Sequence, residues 1–254
     1  MNKTATIPSL RDMIEAGVHF GHKKQFSDAR GQDNFFGVRE KVVIINLEKT
    51  KAGLTTALEF IAEQAAAGAT FLFVSTKPSI RDLVQEAAEA AEMPYVTNRW
   101  LGGTLTNFTT IAKSIKELSD MEKQLAENPD AVATTKKERL MMERDLKRSK
   151  HNLSGLMQLK KLPDVVIIVD PHEEDGAVME ANRMNLPIVA LLDTNANPKL
   201  ITHPIPANDD TPKSVGLILG LIKETIKTNF KPKAVAAPVA EAPKTELPAP
   251  EVKK

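Results

Sequence analysis

The feature that most constrains this chain is a recurrence of short apolar runs, each followed by a stretch of helical period. The runs are residues 41–47 (KVVIINL), 70–75 (TFLFVS), a short one ending at Tyr95-Val96, 164–170 (DVVIIVD) and 187–193 (PIVALLD). They are apolar without alternation, so each strand needs cover on both faces, as parallel strands between helical layers do. Residues 54–66 place Leu54, Leu58, Ile61 and Ala65 on one helical face before Gly68, and residues 79–92 repeat the pattern with Ile80, Leu83, Val84 and Ala87. Further helices are expected over 174–184 and 212–227, the second with Pro212 in its first turn. The pattern predicts an α/β class, with a mainly parallel five-stranded sheet covered on both sides and right-handed crossovers.

Residues 105–160 break this rhythm, being far longer than one crossover needs. Leu105, Phe108, Ile111, Ile115, Leu118 and Leu125 recur at spacings near three and four, Asn128-Pro129-Asp130 interrupts, and a second helical run carries Leu140, Met142, Leu146, Leu153 and Leu156. The expectation is an antiparallel helical hairpin inserted in the α/β domain as a projecting arm. At the N-terminus, Ser9 and Asp12 sit where a capping box would start a short helix that Gly17 ends. The polar segment from His19 to Lys41 has no clean period and reads as loop plus a short hairpin. The last 24 residues hold five Pro, six Ala, five Lys and three Glu and no bulky aliphatic cluster, so they read as a disordered tail leaning to polyproline II. The expected organisation is residues 1–104 as the first part of the α/β domain with its N-terminal helix and basic polar loop, 105–160 as the arm, 161–230 as the second part, and 231–254 as the tail.

Composition removes several kinds of chemistry. There is no cysteine among the 254 residues, which excludes disulfides, Cys-rich zinc sites, iron–sulfur clusters and thiolate nucleophiles. Aromatics are 4%, too few for a surface crowded with base-stacking platforms. The formal net charge is +1, so any basic binding surface must be local. No apolar stretch reaches the length of a membrane span.

Catalytic patterns are weak. No GxGxxG or GxxxxGK[ST] occurs, and Leu101-Gly102-Gly103-Thr104 before a helix reads better as a sharp turn than as a phosphate cradle. His19 and His22 are three apart but have no third ligand nearby in sequence, so no metal or other cofactor is expected. Asp170 and Asp193 end neighbouring strands, where open α/β sheets place active sites, and a metal-dependent phosphohydrolase using both is the alternative reading. Against it, strand-end Asp commonly bonds its own turn backbone, and no nucleophile elbow accompanies the pair. The balance favours a binding or assembly component over an enzyme.

The basic clusters are His22-Lys23-Lys24, Arg30, Arg39 with Lys41, Lys136-Lys137 with Arg139, and residues 144–150. Residues 111–160 carry eleven Lys or Arg against eight Asp or Glu, which a solvated helix face with paired charges also explains. The cations left as candidate binding residues are Lys23, Lys24 and Arg39 in the N-terminal loop, Arg99 before the glycine turn, and Lys137 at the start of the second arm helix, placed at the base of the arm.

Five ordered segments carry a resemblance. They are Glu15-Ala16-Gly17-Val18-His19-Phe20-Gly21-His22, Ile45-Asn46-Leu47-Glu48-Lys49-Thr50, Thr97-Asn98-Arg99-Trp100-Leu101-Gly102-Gly103-Thr104-Leu105-Thr106-Asn107-Phe108, Asp193-Thr194-Asn195 with Pro198, and Ile205-Pro206-Ala207-Asn208-Asp209-Asp210. Together they closely resemble the bacterial small-ribosomal-subunit protein two family, over about residues 8–227. The resemblance implies a flavodoxin-like domain with a coiled-coil hairpin. It further implies a non-enzymatic cytoplasmic protein of the small ribosomal subunit, bound to that subunit's RNA near the head–body junction, with Lys23, Lys24, Arg39, Arg99 and Lys137 as the residues expected to bind that RNA. Neighbouring proteins would be partners, including the large first protein of the subunit, for which it would be a docking point; membranes and DNA would not. Two departures stand out. The segment after His22 reads Lys23-Lys24-Gln25-Phe26-Ser27-Asp28-Ala29-Arg30 where the family commonly has an Arg-Trp-Asn-Pro run, and Lys213 precedes Ser214 where the family usually has Arg, which removes any bidentate phosphate contact at that position.

Overall fold

The computed structural model describes residues 3–127 and 136–231; the Asn128-Pro129-Asp130 break and the tail from residue 232 lie outside them. Its centre is a fully parallel sheet of β4 (Phe71–Val74), β5 (Tyr95–Val96), β6 (Val165–Val169), β7 (Ile188–Leu192) and β8 (His203–Pro206), in the order β5-β4-β6-β7-β8. Numbered within the sheet, this is the 2-1-3-4-5 order of flavodoxin-like folds, with its switch point between β4 and β6.

Alternate residues of the same strands feed two separate cores. Phe71, Phe73, Val165, Ile167, Val189 and Leu191 face α2 (Leu47–Ala66), α3 (Arg81–Ala90) and α7 (Pro212–Asn229). Leu72, Val74, Val166, Ile168, Ile188 and Ala190 face α6 (Asp175–Arg183) and the arm, formed by α4 (Phe108–Glu127) and α5 (Lys136–Leu153). The uninterrupted apolar strands are thus explained by cover on both sides. The arm projects only in part: Ile111, Leu118, Leu153 and Leu156 are buried in the second core, whereas Met121, Leu140 and Met141 further out are exposed.

The five-strand count holds, but its membership differs from the sequence expectation. Residues 41–47 contribute β3 (Val42–Ile45), the middle strand of a separate antiparallel sheet between β1 (Phe20–Lys23) and β2 (Phe35–Arg39). Only Val43 and Ile45 are fully buried; Val42 and Ile44 face outward, so an apolar run that looks two-sided is half-buried. The fifth parallel strand is β8, which contains Pro204 and Pro206. Proline is tolerated there because β8 lies at the sheet edge. Gly53 of α2 lets that helix lie on β8, since a Cβ at this position would stand 2.6 Å from the Pro204 carbonyl oxygen. The short helix α1 (Leu10–Glu15) has the expected capping box: Ser9 Oγ accepts from the Asp12 N–H at 3.2 Å and Asp12 Oδ2 accepts from the Ser9 N–H at 3.0 Å.

Candidate functional site

In a sheet of this order a ligand would enter at the carboxyl ends of β4 and β6. The chain fills that crevice itself. Lys77, just past β4, reaches Asp170 Oδ2 at 2.8 Å, Asp209 Oδ1 at 3.2 Å and Asp210 Oδ1 at 2.6 Å. Asp170 takes a left-handed backbone (φ 64°) and its Oδ1 accepts the Glu173 N–H at 3.2 Å. Glu174 accepts from the Thr76 N–H. Burial disfavours the Lys77 ammonium, but Asp209, Asp170 and Asp210 outweigh it and hold its pKa far above the ordinary lysine range. Burial, aided by the neighbouring Asp170 and Asp193 charges, pushes Asp209 well above the carboxylate range and favours its protonated form. Burial likewise raises Glu174.

The N-terminal segment closes the crevice from above. His22 approaches Asp193 with Nδ1 3.0 Å from Oδ2, off the line of a good hydrogen bond and therefore best described as an ion pair, and its Nε2 lies 3.5 Å from Asp210 Oδ2. The Asp193 carboxylate overcomes the burial penalty and lifts His22 to about 9, so the imidazole is charged at neutral pH. Thr194 ties the segment down: its Oγ1 accepts the His22 N–H at 2.9 Å and its carbonyl accepts the Asp28 N–H at 2.7 Å. Gly21 permits this approach, because a Cβ there would meet Thr194 Cγ2 at 2.6 Å. Asn208 continues the seam, accepting at its backbone from Ser214 Oγ and donating from Nδ2 to the Gly17 carbonyl at 3.0 Å.

This arrangement answers the phosphohydrolase reading. Asp170 and Asp193 both sit at the strand ends, but one is bound by Lys77 and the other by His22, so neither is left free for a metal and phosphoryl group. His22, Asp193 and Asp210 each offer a ligand atom within 4.8 Å of the others and have the donor set of a divalent-cation site. Protonated His22 and Lys77 already neutralise these carboxylates. His19, paired with His22 by spacing, is not part of the group; its ring lies against Phe20 with centroids 4.1 Å apart and planes tilted by 37°.

A second polar knot lies at the root of the arm. Glu180 of α6 accepts from the N–H groups of Gly103 (2.8 Å), Leu105 (3.0 Å) and Thr106 (3.1 Å), from Thr106 Oγ1 (3.1 Å) and from the Trp100 indole (3.0 Å). Burial raises its pKa, but these donors outweigh burial and hold it below the ordinary range. The Leu101-Gly102-Gly103-Thr104 loop is therefore an anion cradle, and its anion is the chain's own carboxylate. Gly103, at φ 90°, makes the turn.

Of the residues expected to meet RNA, the structure brings three together. Lys23 and Arg39 both pair with Val42, one from each side of β3, and Lys24 follows with its N–H on the Lys41 carbonyl at 2.8 Å. Lys23, Lys24, Arg39 and Lys41 are exposed at one end of the small sheet, with no ion pair among the described residues. Arg99 is exposed elsewhere, at the arm's root, where the neighbouring Asn98 Nδ2 donates to the His151 carbonyl. Lys137 is exposed too, but not at the base of the arm. It is the second residue of α5, sixteen residues or roughly 24 Å of helix from Leu153 at the base. The basic loop continues into two 3-10 turns, in which Arg30 is taken up by Asp28 at 2.6 Å.

The outer face of the small sheet, which sequence reasoning missed, is apolar. Phe36 is 78% exposed and Phe20 50%, with Val38 and Ile14 beside them, over a concavity lined also by His19, Val42 and Ile44. Its signal in the sequence was the outward half of the β2 and β3 alternation.

The chain carrying these two knots matches known proteins over most of its length. Residues 13–229 match the family described as Ribosomal protein S2. Similar proteins include Small ribosomal subunit protein uS2 of Sulfurimonas denitrificans, 43% identical over 218 residues, covering 86% of this chain and 84% of that one. The protein of the same name from Coxiella burnetii is 41% identical over 218 residues, covering 86% and 70%, and that of Tolumonas auensis is 41% identical over 220 residues, covering 87% and 90%. With the flavodoxin-like order, the inserted hairpin and a match spanning nearly the whole described chain, the protein belongs to the ribosomal protein S2 family.

Proposed function

We propose that this chain is a structural constituent of the small ribosomal subunit, bound to ribosomal RNA and to neighbouring ribosomal proteins, and that it serves translation without catalysing a reaction. The observation that carries the reading is the family match over residues 13–229. The geometry agrees with it, because the crevice where this fold would hold a substrate is occupied by Lys77, His22 and their carboxylates. Among the described residues no helix is long and apolar enough to cross a membrane.

The finer reading follows the family likeness. The chain sits on the cytoplasmic ribosome near the junction of head and body, with no role on DNA. Lys23, Lys24 and Arg39 form one phosphate-binding edge, and Arg99 and Lys137 contact RNA separately from it. Dispersed cations suit a duplex whose bases are hard to read. The apolar face around Phe20 and Phe36 is the surface offered to a protein partner, and the large first protein of the subunit docks there. The chain is organised as residues 1–104, the arm 105–160, residues 161–230 and a tail 231–254.

Sedimentation of a cell lysate through a density gradient, with antibody detection, tests the core of this reading. The chain should travel with small subunits. A slow-sedimenting pool with magnesium-dependent phosphatase activity that disappears in Asp170→Ala would replace it with the hydrolase.

A further inference from the structure

The charges of α5 are sorted by face. At about 100° per residue, Lys137, Arg144, Lys147, Arg148 and His151 fall within an arc of roughly 100°. All five are exposed. The acidic residues Glu138, Glu143 and Asp145 lie outside that arc, and Leu146 and Leu153, turned toward the second core, lie opposite it. Lys150 also lies off the arc and pairs across the arm with Glu122 at 2.8 Å. Arg144, Lys147 and Arg148 have no ion pair among the described residues. A solvated face with alternating signs would have mixed its acids among these cations.

We infer that this outer face of α5 is a rail for the phosphates of a double-stranded RNA segment, with Arg144, Lys147 and Arg148 as its contacts and Lys137 and His151 at its ends. The inference rests on the ribosomal reading above and assigns it a surface beyond the N-terminal edge. The rail is about 21 Å long from Lys137 to His151. Arg144, Lys147, Arg148 and His151 follow one another within a helical turn, on the scale of neighbouring phosphates along a strand, while Lys137 stands two turns further out, beyond the exposed Leu140. At its lower end the Asn98–His151 contact holds Arg99 beside it, extending the row onto the body. Residues 136–153 include no Phe, Tyr or Trp, so the face has nothing on which to stack unpaired bases. Cations without stacking groups suit a duplex, whose backbone is what a side chain can reach.

The test is a salt titration of binding to small-subunit particles assembled without this protein. It compares the wild type with a chain carrying Arg144→Gln, Lys147→Gln and Arg148→Gln. A second triple variant, Lys49→Gln, Lys51→Gln and Lys227→Gln, removes the same charge from exposed positions elsewhere. The rail variant should bind roughly ten- to a hundredfold more weakly near 0.1 M salt, and the slope of log affinity against log salt should fall by about 2 to 3. The second variant should match the wild type. Because the chain has no cysteine, Met141→Cys provides a single tether for an iron chelate, and its hydroxyl radicals should cut both strands of a paired RNA segment. An unchanged affinity and slope in the rail variant would overturn the inference. So would weaker binding with an unchanged slope, which marks a protein partner, or cleavage confined to unpaired RNA. A wild-type chain that does not join the particles at all would instead sink the ribosomal reading.

Discussion

The strand-end crevice and the basic edge of the small sheet are built from the same residue types and used in opposite ways. In the crevice, Lys77 and His22 are held among Asp170, Asp193, Asp209 and Asp210. At the edge, Lys23, Lys24, Arg39 and Lys41 stand in solvent with no ion pair among the described residues, although Glu40 shares their turn. A charge inside the fold must find its partner inside the fold. A charge left outside without one is available to another molecule. The difference shows how a fold that usually binds a ligand at its switch point can do without one: the chain's own charges fasten that position, and cations without an intramolecular partner remain at the rim.

That contrast is broken most severely at Lys77. Lys77→Met should leave Asp170 and Asp210 without their cation and cost about 3–5 kcal/mol, as loss of one partner of a buried pair does. A thermal melt should show a fall of roughly 10 °C. Loss of less than a degree would mean that the crevice is not a fastener. Smaller losses are expected where the fasteners seat. Glu180→Gln gives the Gly103, Leu105 and Thr106 N–H groups one acceptor oxygen instead of two and sets an amide group against donors, at about 2 kcal/mol. Gly21→Ala sets a methyl group against Thr194, at about 1–3 kcal/mol. Denaturant unfolding of both variants measures these costs, and wild-type midpoints would show that the segments are not held where the structure has them.

The pH dependence has a definite sign. His22 is raised in the folded chain to about 9 from its ordinary 6.5, so the folded state binds its proton more tightly. Its stabilisation is complete below about pH 6.5 and is lost as pH rises through about 9. Melting temperature should decline over that window, and His22→Gln should flatten the decline. An equal decline in both chains would assign the effect to other groups.

Much of this was legible in the sequence. Leu54, Leu58, Ile61 and Ala65 have helical spacing and all four are buried. The runs at 70–75, 164–170 and 187–193 became β4, β6 and β7 because nothing interrupts them. The strand β8 was not legible, since Pro204 and Pro206 argue against a strand until its edge position is known. Residues 41–47 were misplaced because their apolar run conceals which half faces solvent. Lys77 was missed for a different reason: its partners are 93 and 132 residues away, and no local pattern announces them. The available clue was a surplus of acids, with Asp170, Asp193 and Asp209 at three strand ends and a need for a cation from the fourth.

A small gain in stability should expose the cost of the rim. Glu40 and Lys41 turn the β2–β3 hairpin with both φ values positive, at 51° and 68°, a backbone that suits Asn-Gly better. Lys41→Gly should stabilise the chain by about 1 kcal/mol while removing a cation from the edge. Unfolding and particle binding measured on the same preparation should move in opposite directions, and a destabilised variant would mean that Lys41 holds the hairpin rather than a phosphate.

The most direct measurement is the affinity of the chain for small-subunit particles as a function of salt, for wild type and for Lys23→Glu with Lys24→Glu. Both side chains are exposed, so the melting temperature should stay within the change expected of about 0.5 kcal/mol. Affinity should fall, and its dependence on salt should flatten, because fewer counterions are released from phosphate. An unchanged affinity with an unchanged salt slope would contradict this, remove the N-terminal edge from the RNA footprint and leave protein partners as the anchor.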